Sequence, residues 1–118
     1  MIKPNERPCA VELSNDLDSL QTAVSIGASE QGLIEFVYLE DNVSILCNEE
    51  GKLIGLEPNR RLGCDILCGV FYVTGNGEED LSSLSEENIE AYKKIFEKPD
   101  TFSPGDVERT INSGFFVF

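Results

Sequence analysis

The residue types that most often do chemistry near neutral pH are missing from this chain or lack a catalytic spacing. The sequence contains no histidine, which removes the commonest general acid, general base and metal ligand. It has no Gly-x-Ser-x-Gly elbow and no phosphate-binding glycine loop. The Gly-x-Gly at Gly75 leads into Glu78, Glu79 and Asp80, where a phosphate would be repelled. We therefore expect no catalytic residue, no cofactor and no enzymatic activity.

The four cysteines do not have the spacing of a metal site. They are Cys9, Cys47, Cys64 and Cys68, and without histidine a zinc site would need all four thiolates. Cys64 and Cys68 have three residues between them rather than the two of a typical zinc knuckle. Cys9 and Cys47 lie in apolar runs, where cysteine behaves as a small hydrophobic residue. We expect no bound metal.

An adjacent pair of arginines, Arg60 and Arg61, stands out in this acidic chain. The segment around it, Pro58–Leu62, is predicted to be an irregular connection, and such loops often carry function. Arginine is frequent at protein interfaces and recognises carboxylates. Asn59, Arg60 and Arg61 are therefore candidate binding residues. In the alternative interpretation, one arginine pairs with Glu57 or Asp65 and only fixes the loop.

The chain is strongly acidic, and its few cations are absent from a long stretch of the first half. The formal charge is −13, and residues 8–51 contain no Lys or Arg. A surface of this kind disfavours direct binding to nucleic acid and to anionic lipid. It either keeps the protein soluble or forms an acidic face for a basic protein partner. The carboxylates of residues 8–51 are Glu12, Asp16, Asp18, Glu30, Glu35, Glu40, Asp41, Glu49 and Glu50.

No segment resembles a targeting or membrane-spanning sequence. Met1–Lys3 is followed by Pro4 rather than by an apolar run, unlike a signal peptide. No apolar run approaches the roughly 20 residues that cross a bilayer. We expect a cytoplasmic protein without membrane contact, with reduced thiols.

The hydrophobic pattern predicts an α+β fold with strands in the first two thirds of the chain. Cys9–Leu13 is a candidate first strand, and Asn15 is expected to cap a helix with buried Leu17, Leu20, Ala23 and Val24. Leu33–Leu39, apolar on both faces, is predicted as a central strand, and Val43–Cys47 returns after a turn at Asp41-Asn42. Asn48–Gly51 is a further turn, Leu53–Leu56 a candidate third arm, and Gly69–Thr74 another strand.

The last third is predicted to hold the second main helix and an apolar end. Glu86–Glu97 should form a helix capped by Ser85 and stopped by Pro99, and a short helix should follow Ser103 with Asp106 in its cap. The run Phe115–Phe118 must be covered, because free apolar strands aggregate. Its own core, a second copy or another protein could cover it, which makes Phe115, Phe116 and Phe118 further candidate binding residues.

Taken together, we expect one domain over residues 1–118. A small antiparallel or mixed sheet should pack against two main helices in the order β-α-β-β-(β)-β-α, followed by the short carboxy-terminal helix or strand. Residues 99–118 would be an extension that packs on the core or on a partner.

Four ordered segments carry a resemblance to a known family. They are 33–39, 47–62 (from the Asn-Glu-Glu-Gly turn to Pro-Asn-Arg-Arg-Leu), 65–75 and 84–92. In this order they resemble the small bacterial domains called domain of unknown function 3846, over about residues 11–96. The resemblance implies a bacterial cytoplasmic protein, of the kind found on plasmids, phages and conjugative elements. It implies no activity.

Three hypotheses for function follow. The first is a non-enzymatic protein-interaction module, an accessory protein of a mobile element, with Asn59, Arg60, Arg61 and the terminal aromatics as contacts. The second is an acidic mimic of DNA that blocks a DNA-binding host-defence protein. The third is a small ligand binder or a histidine-free enzyme.

Overall fold

The computed structural model describes residues 1–76 and 81–112. The elements in chain order are α1 (Leu17–Val24), β1 (Ile34–Glu40), β2 (Val43–Asn48), β3 (Pro58–Leu62), β4 (Asp65–Cys68), β5 (Tyr72–Asn76), β6 (Leu81–Ser82), α2 (Glu86–Ile95) and α3 (Asp106–Asn112). Strands β1, β2, β5 and β6 form an antiparallel sheet in that order, and β3 pairs with β4 in a separate two-stranded sheet. The α+β prediction is confirmed, although a second small sheet accompanies the expected one.

Strand β2 runs through the centre of the larger sheet and is buried along its whole length. Because side chains alternate along a strand, β2 contributes to a separate apolar cluster on each face. On one face Ile45 and Cys47 pack with Phe71 and Phe96, and Tyr92 of α2 lies against them. On the other face Leu46 and Tyr72 pack with Leu20 and Val24 of α1. The sheet therefore has one main helix on each side.

The β1–β2 hairpin forms as its sequence predicts. The turn at Asp41-Asn42 places Asn42 at a φ of 64°, a left-handed conformation that asparagine tolerates. The prediction that this first arm is a central strand is wrong, because β1 lies at the edge of the sheet. Its second face is apolar in sequence, yet Phe36 and Tyr38 are exposed.

The segment between β2 and β5 differs most from the sequence prediction. Leu53–Leu56 is a turn rather than a third arm, and Pro58–Leu62 is strand β3 rather than an irregular connection. β3 pairs with β4, which was not predicted as a strand of its own. Gly69 follows at a φ of 83°, and this left-handed residue separates β4 from β5. The expected strand Gly69–Thr74 therefore begins later, at Tyr72.

The amino-terminal segment also differs from the prediction. Cys9–Leu13 forms no strand and is exposed, because the chain instead pairs with the sheet at Ile2, whose N–H donates to the carbonyl of Phe71 (2.8 Å). The helix cap is Asp16 rather than Asn15. Its carboxylate accepts from the backbone N–H of Ser19 (2.8 Å), while Asn15 donates to Leu81.

The helices of the last third lie where the sequence predicts them. Ser85 caps α2 by accepting from the N–H of Asn88. Asp106 accepts from the N–H of Ser103 (2.7 Å) at the start of α3, as the cap prediction required. Phe102 and Val107 pack against a third apolar cluster around Leu56, so the described part of the extension contacts the smaller sheet. Among residues 1–76 and 81–112, no helix is long and apolar enough to cross a membrane.

Candidate functional site

The Arg60 side chain, a candidate binding residue, is buried and fully hydrogen-bonded. It is 1% exposed. Its Nε and Nη2 both donate to the carbonyl of Phe96, and Nη2 also donates to the carbonyl of Glu6 (2.5 Å). Nη1 donates to the backbone and side-chain oxygens of Asn59. Every N–H group of the guanidinium has a partner, so Arg60 has no donor left for a ligand.

Asn59 completes the same network and is equally buried, at 1% exposure. Its amide nitrogen donates to the carbonyls of Ile2 and Gly69, each at 2.8 Å. We call Asn59 and Arg60 the polar clasp. The clasp joins β3 to the amino-terminal segment, to the β4–β5 connection and to the end of α2.

The charge of Arg60 is balanced by dipoles rather than by a contacting carboxylate. Phe96 is the C-cap residue of α2, and a cation at a helix C-terminus is favourable because the last carbonyls lack intrahelical partners. Burial lowers the pKa of Arg60, and the charge of Asp100 partly offsets this effect. The alternative that an arginine pairs with Glu57 or Asp65 is wrong. Glu57 accepts from Asn5, and Asp65 pairs with Lys52.

Arg61 points away from the clasp and is half-exposed. Its guanidinium contacts Asp106 (3.1 Å) and lies 5.0 Å above the ring of Phe102. Its backbone N–H donates to Asp100 (2.8 Å). Arg61 therefore fastens the carboxy-terminal extension to β3, and part of its side chain remains open to solvent.

The structure thus brings three of the six candidate binding residues together and does not describe the others. Asn59 and Arg60 lie inside, and Arg61 lies at the surface. Phe115, Phe116 and Phe118 lie outside the described residues. Burial leaves Asn59 and Arg60 no free surface for a partner in this structure, and the direct-contact role of Arg61 and of the three phenylalanines stays a prediction.

The cysteines offer two kinds of thiol. Cys9 and Cys64 are exposed, whereas Cys47 and Cys68 are buried. Burial raises the pKa of Cys47 to about 12 and also raises the pKa of Cys68. Within the described ranges, no group of three or more Cys, Asp or Glu side chains is arranged to hold a metal ion.

Thiol labelling should therefore divide the cysteines into two pairs. At pH 8 we expect Ellman's reagent to modify two thiols rapidly, because only a thiolate reacts and roughly one Cys47 in ten thousand is ionised. All four should react in guanidinium chloride. The free energy of unfolding should fall as the pH rises above the ordinary pKa of a thiol. The unfolded chain then loses the protons of Cys47 and Cys68, whereas the folded chain keeps them. Rapid labelling of Cys47, located by mass spectrometry, would contradict this assignment.

The outer face of β1 is a site that sequence reasoning missed. Phe36 is 54% exposed and Tyr38 is 65% exposed. Helix α1 packs on this face of the sheet, but its buried residues cover the part nearer β2 and β5. The alternation of apolar residues on both faces suggested a central strand. The useful signal was the acidic residues directly before and after these aromatics, Glu35, Glu40 and Asp41.

Charge and apolar exposure coincide at this edge. The basic-free residues 8–51 include α1, β1 and β2. All nine Lys and Arg residues lie outside that range, in elements such as β3 and α2. We call the exposed surface of β1 with its flanking carboxylates the acidic edge. Its members are Phe36 and Tyr38 together with Glu35, Glu40, Asp41 and Glu49.

A groove of about 500 Å³ lies near the opposite edge of the larger sheet, between the amino-terminal segment and β5, β6 and α2. This volume suits a small molecule. Glu12 and Lys93 are the charged side chains that line it, and Cys9 forms part of its wall. The described lining of the groove offers a small ligand one carboxylate and one ammonium group.

The comparisons with known proteins identify the family and no activity. The family model described as "Domain of unknown function (DUF3846)" matches residues 1–97. The chain belongs to this family, as the resemblance of its ordered segments indicated. The match includes the polar clasp and the acidic edge and ends where the extension begins. Neither the curated proteins nor the solved structures gave a match.

Proposed function

We propose that this chain is a non-enzymatic protein-interaction module that binds a basic partner through its acidic edge. The observation that carries the proposal is the exposure of Phe36 and Tyr38 on an edge strand within a region free of cations. Exposed apolar residues grouped on one strand are typical of a binding surface. Surrounding carboxylates select a partner of opposite charge and speed its association.

The setting that we propose is a bacterial mobile element, with the protein as a cytoplasmic accessory factor. The support for this setting is the resemblance of the ordered segments to such bacterial domains. The lack of histidine and of any motif for phosphate binding or nucleophilic catalysis supports a module without enzymatic activity.

Affinity capture with matched variants tests the surface. Phe36→Ser/Tyr38→Ser removes the apolar part of the acidic edge without changing charge, and Glu35→Gln/Glu49→Gln removes two of its charges. The control, Leu53→Ser/Ile54→Ser, alters side chains that are 74% and 47% exposed in the turn after β2. We expect both edge variants to retain at least tenfold less partner than wild type, and the control to retain as much.

Ionic strength gives the capture experiment a second readout. Retention should fall steeply between 0.1 and 0.5 M salt, since the Debye length shortens from about 10 Å to a few ångströms. Competition by a short DNA duplex would indicate that the partner is a DNA-binding protein, as the DNA-mimic hypothesis requires. Equal retention by all variants would overturn the proposal.

A further inference from the structure

We propose that the acidic edge binds its partner by strand addition, so that an extended basic segment of another protein becomes the next strand beside β1. This inference rests on the proposed function and specifies its geometry. The occupant is a lysine- or arginine-rich segment in extended conformation. Its backbone would pair with β1, and its cations would meet the carboxylates of the acidic edge.

The hydrogen-bond pattern shows which backbone groups of β1 face outward. In an antiparallel ladder, successive residues of a strand alternate between the two sides. The N–H of Glu49 donates to the carbonyl of Leu33 (3.0 Å), in register with the β1–β2 pairs. Because the direction alternates from this bond onward, the backbone N–H and C=O groups of Glu35 and Val37 point toward β2.

The other side of β2 confirms this assignment. The N–H of Asn76 donates to the carbonyl of Asn42 (2.9 Å), in register with the β2–β5 pairs. The even-numbered residues of β2 therefore bond to β5 and the odd-numbered ones to β1. On β1 itself, the N–H and C=O groups of Ile34, Phe36 and Tyr38 face the open edge.

Within residues 1–76 and 81–112, the outward N–H and C=O groups of β1 have no hydrogen-bond partner. β1 has β2 as its one strand neighbour in the described sheet. The side-chain and loop hydrogen bonds of the described residues also leave the outward backbone groups of β1 without a partner. Three outward residues at alternate positions span roughly 13 Å, which matches a segment of about five residues.

From Ile34 to Tyr38 the edge lacks three devices by which proteins block strand addition. Protected edges carry lysine, proline or a bulge. β1 contains no lysine and no proline, and its bulge lies at the far end, between Tyr38 and Glu40. Its charges are acidic, so they repel an acidic strand and attract a basic one.

The side chains of β1 fit the same partner. Phe36 and Tyr38 lie on one face, where they can pack with apolar or cationic side chains of an added strand, including cation–π contacts. Glu35 lies on the opposite face. A segment in which cations alternate with apolar residues therefore meets both faces with complementary side chains.

The test uses the full chain and a fluorescein-labelled decapeptide of alternating Lys and Val, with binding followed by fluorescence anisotropy at 50 mM salt. Two N-methylated versions of the peptide are compared, one methylated on every Lys amide and one on every Val amide. Only one of these sets can face β1 in the bound strand. We expect one methylated peptide to bind at least tenfold more weakly and the other to bind within threefold of the parent.

Two variants of the protein test the same backbone hydrogen bonds by changing β1 instead of the peptide. Tyr38→Pro removes an outward N–H without removing a bond to β2, a position at which an edge strand accepts proline. Tyr38→Ala removes only the side chain. We expect Tyr38→Pro to bind the decapeptide at least fivefold more weakly than Tyr38→Ala, with circular dichroism checking that both variants are folded.

The outcomes separate this inference from the proposed function. Strand addition is overturned if both methylated peptides lose the same affinity or if neither loses any. The proposed function still stands in that case, provided that Phe36→Ser/Tyr38→Ser abolishes binding of the parent peptide. If the unmethylated decapeptide does not bind the wild-type protein, the inference that the edge takes a basic segment is overturned. If a chain cut after Asn112 binds the decapeptide at least tenfold more tightly than the full chain, the occupant of the edge is this chain's own tail. If the protein self-associates and Tyr38→Pro abolishes that association, the occupant is a second copy. Either result overturns the inference.

Discussion

Replacing Arg60 with methionine is expected to lower the free energy of unfolding by about 3 kcal/mol. Methionine has a similar length but no donor, so the carbonyls of Glu6, Asn59 and Phe96 lose their guanidinium partner. A buried acceptor left unsatisfied costs about 1–3 kcal/mol, and part of this cost is offset because the buried charge is also removed. Urea denaturation followed by circular dichroism measures the change.

The neighbouring arginine provides the control. Arg61→Met removes a half-exposed ion pair with Asp106, and such pairs contribute less than about 1 kcal/mol. Asn59→Leu removes two donors from the clasp and should resemble Arg60→Met. If Arg60→Met and Arg61→Met had the same small effect, the clasp would not hold the amino-terminal segment and α2 together.

Replacing Phe71 with alanine is expected to cost about 3–5 kcal/mol, the range for large-to-small changes of buried aromatics. Phe71 is fully buried, packs edge-to-face with Phe96 at a centroid distance of 5.4 Å, and pairs through its backbone with Ile2. Phe71, directly before β5, therefore joins the sheet to the end of α2 and to the amino-terminal segment. Loss of the ring would leave a cavity that these elements cannot close.

The exposed aromatic Phe36 is the matched comparison for Phe71. Phe36→Ala should change the free energy of unfolding by less than about 0.5 kcal/mol, because surface substitutions rarely exceed this value. Both changes are measured by thermal or urea unfolding of the full chain. A large effect of Phe36→Ala would mean that Phe36 supports the core, which would count against its role in binding.

Local sequence signals predicted the elements whose cause is local. The β1–β2 hairpin follows from alternating apolar residues and the Asp41-Asn42 turn, and α2 follows from the Ser85 cap and Pro99. These signals act within a few residues, so a single sequence contains them.

Elements that depend on distant partners were not predictable in this way. Pro58–Leu62 becomes a strand because β4 pairs with it and because the clasp bonds it to Ile2, Glu6 and Phe96. Cys9–Leu13 has a strand-like pattern but joins no strand among the described residues, and Ile2 takes the place beside Phe71. Whether β1 is central or at an edge depends on strand order, which alternation alone does not determine.

The same distinction applies to the candidate site. Arg60 and Arg61 stood out by composition, and the structure uses Arg60 to join three parts of the fold. The acidic edge needed two nonlocal facts, namely the edge position of β1 and the incomplete cover by α1. Its charge was visible in the sequence, whereas its exposed aromatics were not.

The most direct test of the acidic edge is a titration of the ¹⁵N-labelled full chain with the alternating Lys-Val decapeptide, followed by amide chemical shifts. We expect the largest shifts at Ile34, Phe36 and Tyr38 and in the adjacent residues of α1, with Asn59, Arg60 and Arg61 nearly unchanged. Shifts centred on Arg61 or on the groove at Cys9, with β1 unchanged, would contradict the account.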